Sequence, residues 1–131
     1  MKAAELISIF DEDRTNEISE DLKLRWLKEV EHTVVDEIVK THELPEELAE
    51  IDFDTYFDDW GPDKDLLVPE SYDILYIHYL EMKMGWKLAE PKLRNSGGDL
   101  YNTALMTYKQ YYTRHNRPNF VPPVFTDHMK L

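Results

Sequence analysis

Six aspartates fall within fourteen residues in the stretch DFDTYFDDWGPDKD, residues 52–65, interleaved with Phe53, Tyr56, Phe57 and Trp60. Carboxylates at this density can ligate a hard cation, run acid–base chemistry, or stay hydrated while the neighbouring rings meet a partner. An EF-hand needs oxygen ligands at its first, third and fifth positions, Gly at the sixth and Glu at the twelfth. Counting from Asp52, the fifth and sixth positions are Tyr56 and Phe57; counting from Asp54, the third is Tyr56, so that loop cannot form. An irregular calcium site stays open. The favoured reading is a hydrated loop in which Phe57, Asp58, Asp59 and Trp60 dock a partner, with acidic repulsion keeping copies apart until it arrives.

The other residues able to do chemistry do not assemble into a site. Glu29 and His32 have the Glu-x-x-His spacing of carboxylate-bridged di-iron bundles, which need a second such motif on a facing helix, and none exists. His42-Glu43 begins like a zinc-protease motif, but Glu46 stands where the second His belongs and Pro45 interrupts the helix. His78 lies three residues before Glu81 in an apolar helix and reads as a hydrogen-bonded neighbour of the core. Ser8, Ser19, Ser71 and Ser96 occupy no nucleophile elbow, and the chain has no Cys. NSGGD, residues 95–99, follows no strand and precedes no Lys, so it is an interhelical hinge and not a phosphate loop. No catalytic residue, metal set or cofactor is expected, and the chain reads as a non-enzyme.

The elements that carry these residues are helical. Residues 3–10 place Leu6, Ile7 and Phe10 on one side of a short helix. Ser19 caps a second helix whose first turn holds Glu20 and Asp21, and whose stripe runs through Leu22, Trp26, Val30, Val34 and Ile38 to about His42. Lys23, Lys28, Glu29, Asp36 and Glu37 fall off that stripe, and Pro45 ends the helix. Residues 43–51 add one helical turn, and 52–68 form a long loop or loose hairpin turning at Gly61-Pro62. From Pro69 a helix carries Tyr72, Leu75, Tyr76, Tyr79, Leu80 and Met82 on one face and Ile74 and Ile77 on another, until Pro91 weakens it. Apolar residues on two sides imply burial on two sides, the second against another subunit. After the break at NSGGD, Asp99 caps a last helix bearing Tyr101, Tyr108, Tyr111 and Tyr112. The tyrosines fit an intramolecular core and a subunit interface equally well, and Ile74, Ile77, Tyr79, Tyr108 and Tyr112 are the interface candidates.

The expected class is therefore all-α: a small helical bundle with a long helical hairpin, an acidic loop and an extended proline-rich arm. The bundle spans 1–117 and the arm 118–131, where Phe120, Val121 and Phe125 are too apolar for an idle tail and join the partner-binding candidates. A chain of 131 residues with 42% apolar and 32% charged residues suits one domain. Fifteen basic against 27 acidic side chains leave a net charge of −12, with no basic groove for phosphate. No stretch approaches a membrane span, and the first residues lack the pattern of a signal peptide.

Three segments together, SEDLKLRWLKEVEHTVVDEIVKTHE, LLVPESYDILYIHYLEMKMGW and DLYNTALMTYKQYYTRHNRP, resemble in order and spacing small proteins encoded among the head genes of tailed phages and prophages of Gram-positive bacteria. That group is similar to the head–tail connector (adaptor, or head-completion) family. The resemblance covers about residues 17–118, most specifically at RWL, KTHE and the LLVP…YD.LY.HYLE run. It implies an α-helical adaptor forming a ring, usually dodecameric, beneath the portal. Such a ring docks the next neck or tail protein and lets DNA pass without specific binding. It further implies synthesis in the host cytoplasm and a final place in the virion neck. NFVPPVFTDHMKL, residues 119–131, continues past the usual end of the shorter members. The competing readings are an acidic module that sequesters a basic host or phage protein, and a metal-dependent enzyme built on the aspartates.

Overall fold

The computed structural model describes residues 1–119, so Phe120, Val121 and Phe125 lie outside the described residues. Four helices form: α1 (Ala3–Asp13), α2 (Glu20–Val34, prolonged by a π-helical turn over Val35–Val39), α3 (Ile74–Lys87) and α4 (Pro91–His115). Single 3-10 turns at Glu46–Leu48 and Glu70–Tyr72 flank the acidic loop. Among the described residues extended pairing is limited to two isolated bridges, Lys2 with Asp65 and His42 with Pro118. The class is all-α, as the hydrophobic spacing predicts.

The first two helices start in different ways. In α1 the buried residues Ala3, Leu6, Ile7 and Phe10 fall three and four apart, one stripe of a 3.6-residue helix. No side chain caps its N-terminus; the acidic loop does so with backbone. Ala3 N–H donates to the Lys64 carbonyl and Ala4 N–H to that of Pro62, both at 2.9 Å, and Leu66 N–H returns a bond to the Met1 carbonyl at 2.9 Å. The Ser19 Oγ of α2 accepts from Leu22 N–H at 3.2 Å, the predicted cap. Lys23 departs from expectation. It is only 2% exposed, with its ammonium 2.6 Å from Asp11 of α1, because a long aliphatic stem lets a lysine cross apolar surface to reach a carboxylate.

Two further expectations are corrected. NSGGD is no hinge: α4 runs unbroken from Pro91 to His115, and Asp99 lies within it rather than capping it. The glycines are there for contact between helices. A Cβ on Gly97 would lie 2.6 Å from the Met82 backbone nitrogen, and one on Gly85 would lie 2.3 Å from that of Arg94. The hairpin α3–α4 is thus a seam of backbone on backbone. Its turn is a Schellman close: Glu90 N–H donates to the Gly85 carbonyl at 2.9 Å and Ala89 N–H to that of Trp86 at 3.4 Å. Ala89 takes the left-handed conformation with φ 54°, and Pro91 opens α4 at a position that has no use for an N–H.

The second apolar side of α3 is covered by its own chain at Ile77 but not at Ile74, which is 48% exposed. α3 is the central helix, with α4 along one side and α1 and α2 along the other. Ile77 is buried there, with Leu75, Tyr76 and Leu80.

The seam yields a contrast. Gly85→Ala and Gly97→Ala should each destabilise the chain by about 1–3 kcal/mol through overpacking, although alanine is the better helix former by about 1 kcal/mol. At Gly98 a new Cβ meets only the Met82 sulfur at 3.5 Å, so Gly98→Ala should stabilise by roughly 0.5–1 kcal/mol. Urea unfolding of the three variants measures all of these shifts.

Candidate functional site

The acidic loop is laid along α2 by its aromatic residues. Trp60 donates its indole N–H to the Leu24 carbonyl at 2.8 Å, and Phe57 stacks on His32 with centroids 3.6 Å apart and planes 15° apart. Tyr56 is buried, its ring edge-on to Phe57 and beneath the Lys64 ammonium, 4.2 Å from the ring centre. Phe57 and Trp60, expected to meet a partner, are half-buried against the chain's own helix, whereas Asp58 and Asp59 are exposed.

The aspartates splay apart. Asp52 accepts from Asp54 N–H at 3.0 Å, Asp59 pairs with Lys64 at 2.7 Å, and Asp65 pairs with Lys2 at 3.4 Å. Lys64 holds the Asp59 carboxyl below its ordinary value. Among the described residues no three His, Asp or Glu side chains converge as a metal would require. The outer side of the loop is an acidic bowl of about 790 Å³ bordered by Asp52, Asp58, Asp59, Asp63 and Asp65.

Beneath this bowl lies a carboxylate that reading the sequence for motifs missed. Glu31 of α2 is 0% exposed. One carboxylate oxygen accepts from Tyr56 O–H at 2.9 Å and Leu67 N–H at 2.8 Å; the other accepts a short bond from Tyr76 O–H of α3. The Tyr76 oxygen in turn accepts from Val68 N–H at 3.0 Å. Burial drives the Glu31 carboxyl up from 4.5 to about 7, outweighing the three donors and the attraction of Lys64, all of which favour the anion. The same burial, beside that carboxylate, raises the phenols of Tyr76 and Tyr56. One signal was available in the sequence: Leu27, Glu31, Val34 and Ile38 share a helical face, and only Glu31 among them is charged.

Of the predicted interface residues, Ile77, Tyr108 and Tyr112 are buried in the single chain. Tyr101, Tyr108 and Tyr112 form the stripe of α4 that faces inward, so the tyrosines of that stripe serve the core. Tyr79 is half-buried, its O–H donating to Glu29 at 3.0 Å, and Ile74 is 48% exposed. His78 bonds Glu81 at 2.8 Å, as expected, and Arg14 of α1 reaches the same carboxylate oxygen at 3.0 Å.

Among the described residues, Ile9, Leu44, Ile74, Leu100 and Met106 are exposed at separate places on the surface. At the turn end of the hairpin, past the ion pairs of Glu81 with Arg14 and of Lys83 with Glu29, Trp86 is 61% and Leu88 47% exposed. Trp86 carries the Arg94 guanidinium over its ring at 4.4 Å. No family model, curated protein or solved structure matches the chain. Among the described residues no helix is long and apolar enough to cross a membrane.

The Glu31 node gives a signed pH dependence. Its carboxyl holds a proton in the folded chain up to about 7 and releases it near 4.5 when unfolded. Its contribution to stability is therefore complete below 4.5, declines as pH rises, and is lost above about 7. Glu31→Gln should remove that slope, a difference on the order of 3 kcal/mol between the two limits, read from urea midpoints of both chains across pH 4 to 8.

Proposed function

We propose that this chain is a structural subunit of a tailed-phage head–tail connector. Copies assemble as a ring beneath the portal, dodecameric in the family that the sequence resembles, and join the capsid to the next neck or tail protein. The role is one of assembly and not of catalysis, carried out in the virion neck after synthesis in the host cytoplasm.

The observation that carries this reading is the apolar end of the α3–α4 hairpin. Trp86 and Leu88 stand in water at the turn end of a hairpin locked by the glycine seam, and Leu100 is exposed farther along α4. Large apolar side chains exposed on a rigid projection suit an interface more than a free surface. The charge agrees: −12 on each copy, multiplied around a ring, repels DNA phosphate and lets the duplex pass without being gripped. The acidic bowl supports one further reading, a module that sequesters a basic protein, since its five rim aspartates outnumber the two lysines that pair with them, Lys64 and Lys2.

Sedimentation velocity from micromolar to millimolar concentration, with and without portal rings of the encoding phage, separates the two. The connector reading expects rings at high concentration or on portals. Leu88→Glu and Leu100→Glu should weaken association at least ~10-fold while changing folding stability by no more than about 0.5 kcal/mol. A chain that stays monomeric throughout and never co-sediments with portals overturns it, and capture of one basic protein in place of virion proteins supports the sequestering module.

A further inference from the structure

A second surface has the form of a receptor. Between the C-terminal turns of α4 and the segments flanking the acidic loop lies a groove of about 570 Å³, walled by Pro45, Leu48, Pro69, Tyr111 and His115. Its aromatic wall is continuous. The Tyr111 ring stacks on Tyr72 at 4.6 Å, and His115 lies 4.3 Å from Tyr111 on the other side. The volume is within the roughly 300–1,000 Å³ of small-molecule sites, room enough for a few side chains.

Rings and prolines facing across a groove are the chemistry that receives an extended proline-rich segment. Such a segment enters with φ already fixed and loses little backbone entropy on docking. This sequence contains one, Phe-Val-Pro-Pro-Val-Phe over 120–125. All of its residues are apolar. A polyproline helix repeats every three residues, so its three edges would be Phe120 with Pro123, Val121 with Val124, and Pro122 with Phe125, each able to face the groove.

The direction of the chain decides whose segment it is. Asn116 borders the groove, but the next residues leave it. Glu43 N–H donates to the Arg117 carbonyl at 2.8 Å, Pro118 bridges antiparallel to His42, and Asn119 N–H donates to the Thr41 carbonyl at 2.9 Å. The Asn119 side chain then donates to the Lys40 carbonyl at 3.1 Å. From Glu43 the path to the groove runs forward through Leu44 to Pro45; the paired strand runs the opposite way, toward Lys40. At Asn119 the chain is aimed away from its own groove.

We propose that this groove receives the Phe120–Phe125 segment of a second copy, linking subunits head to tail. Contacts of that kind close into a ring when the rotation between copies permits. The inference rests on the reading of the chain as an assembling subunit and names the contact between neighbours.

Two full-length variants test it. Phe120→Ser with Phe125→Ser disables the arm and leaves the bundle untouched. Tyr111→Arg blocks the groove, with Leu48→Arg as the substitute should the first lose helical circular dichroism. Each alone should associate at least ~10-fold more weakly than the parent in sedimentation velocity. Mixed in equal amounts, they should form one-to-one pairs and stop there, because a single intact arm meets a single intact groove. If the parent assembles and both variants match it, the arm contact is wrong and the connector reading stands. If the parent never assembles, with or without portals, both fall. Arm variants that alter the Tyr111 and His115 resonances equally at all concentrations would assign the groove to the chain's own arm and overturn the second copy.

Discussion

Three parts of the chain meet at the carboxyl group of Glu31. It belongs to α2, takes hydrogen bonds from Tyr56 and Leu67 at the two ends of the acidic loop, and is reached from α3 by Tyr76. Burying a carboxyl group is costly in either protonation state, and hydrogen bonds at both oxygens are what make the position tolerable. The condition works in both directions. The loop must lie against α2 for the carboxylate to be satisfied, and the carboxylate gives an otherwise irregular loop a fixed anchor. The loop then caps the first turn of α1 with the carbonyls of Pro62 and Lys64. Packing of α1, placement of the loop and approach of α3 are thus linked through one side chain.

Helix existence was legible because it rests on local patterns. The 3, 6, 7, 10 spacing of α1, the Ser19 cap and the hairpin formed by the last two helices follow from periodicity and capping chemistry. What was not legible depends on partners distant in sequence. Gly97 and Gly98 look like a break until α3 supplies the backbone that they make room for. Lys23 looks like surface until Asp11 is brought beside it, and Ile77 and Tyr108 look like subunit contacts until α3 proves to be the middle helix. The acidic loop was misjudged for a related reason. Its charges announce water, but its shape is set by Tyr56, Phe57 and Trp60, whose rings lie on α2.

The division of surface follows from that arrangement. Carboxylates stay on the outside of the loop, tyrosines of the inner stripe are consumed by the core, and the turn end of the hairpin leaves Trp86 and Leu88 in water. An assembling subunit needs such a separation, with one region that discourages contact and another that seeks it.

The glycine seam has a mechanical consequence. Helices in contact through side chains can slide past one another by small repacking steps, which is how shear motions begin. Here Gly85 faces the backbone of Arg94 and Gly97 faces that of Met82. A slip of one residue would drive a Cβ into a peptide group, so the hairpin moves as a single stiff rod. A pull on its outer end near Leu88 is not absorbed by creep between the helices; it passes along α3 to the ties with α1 and α2, from Lys83–Glu29 and Glu81–Arg14 to Tyr76–Glu31.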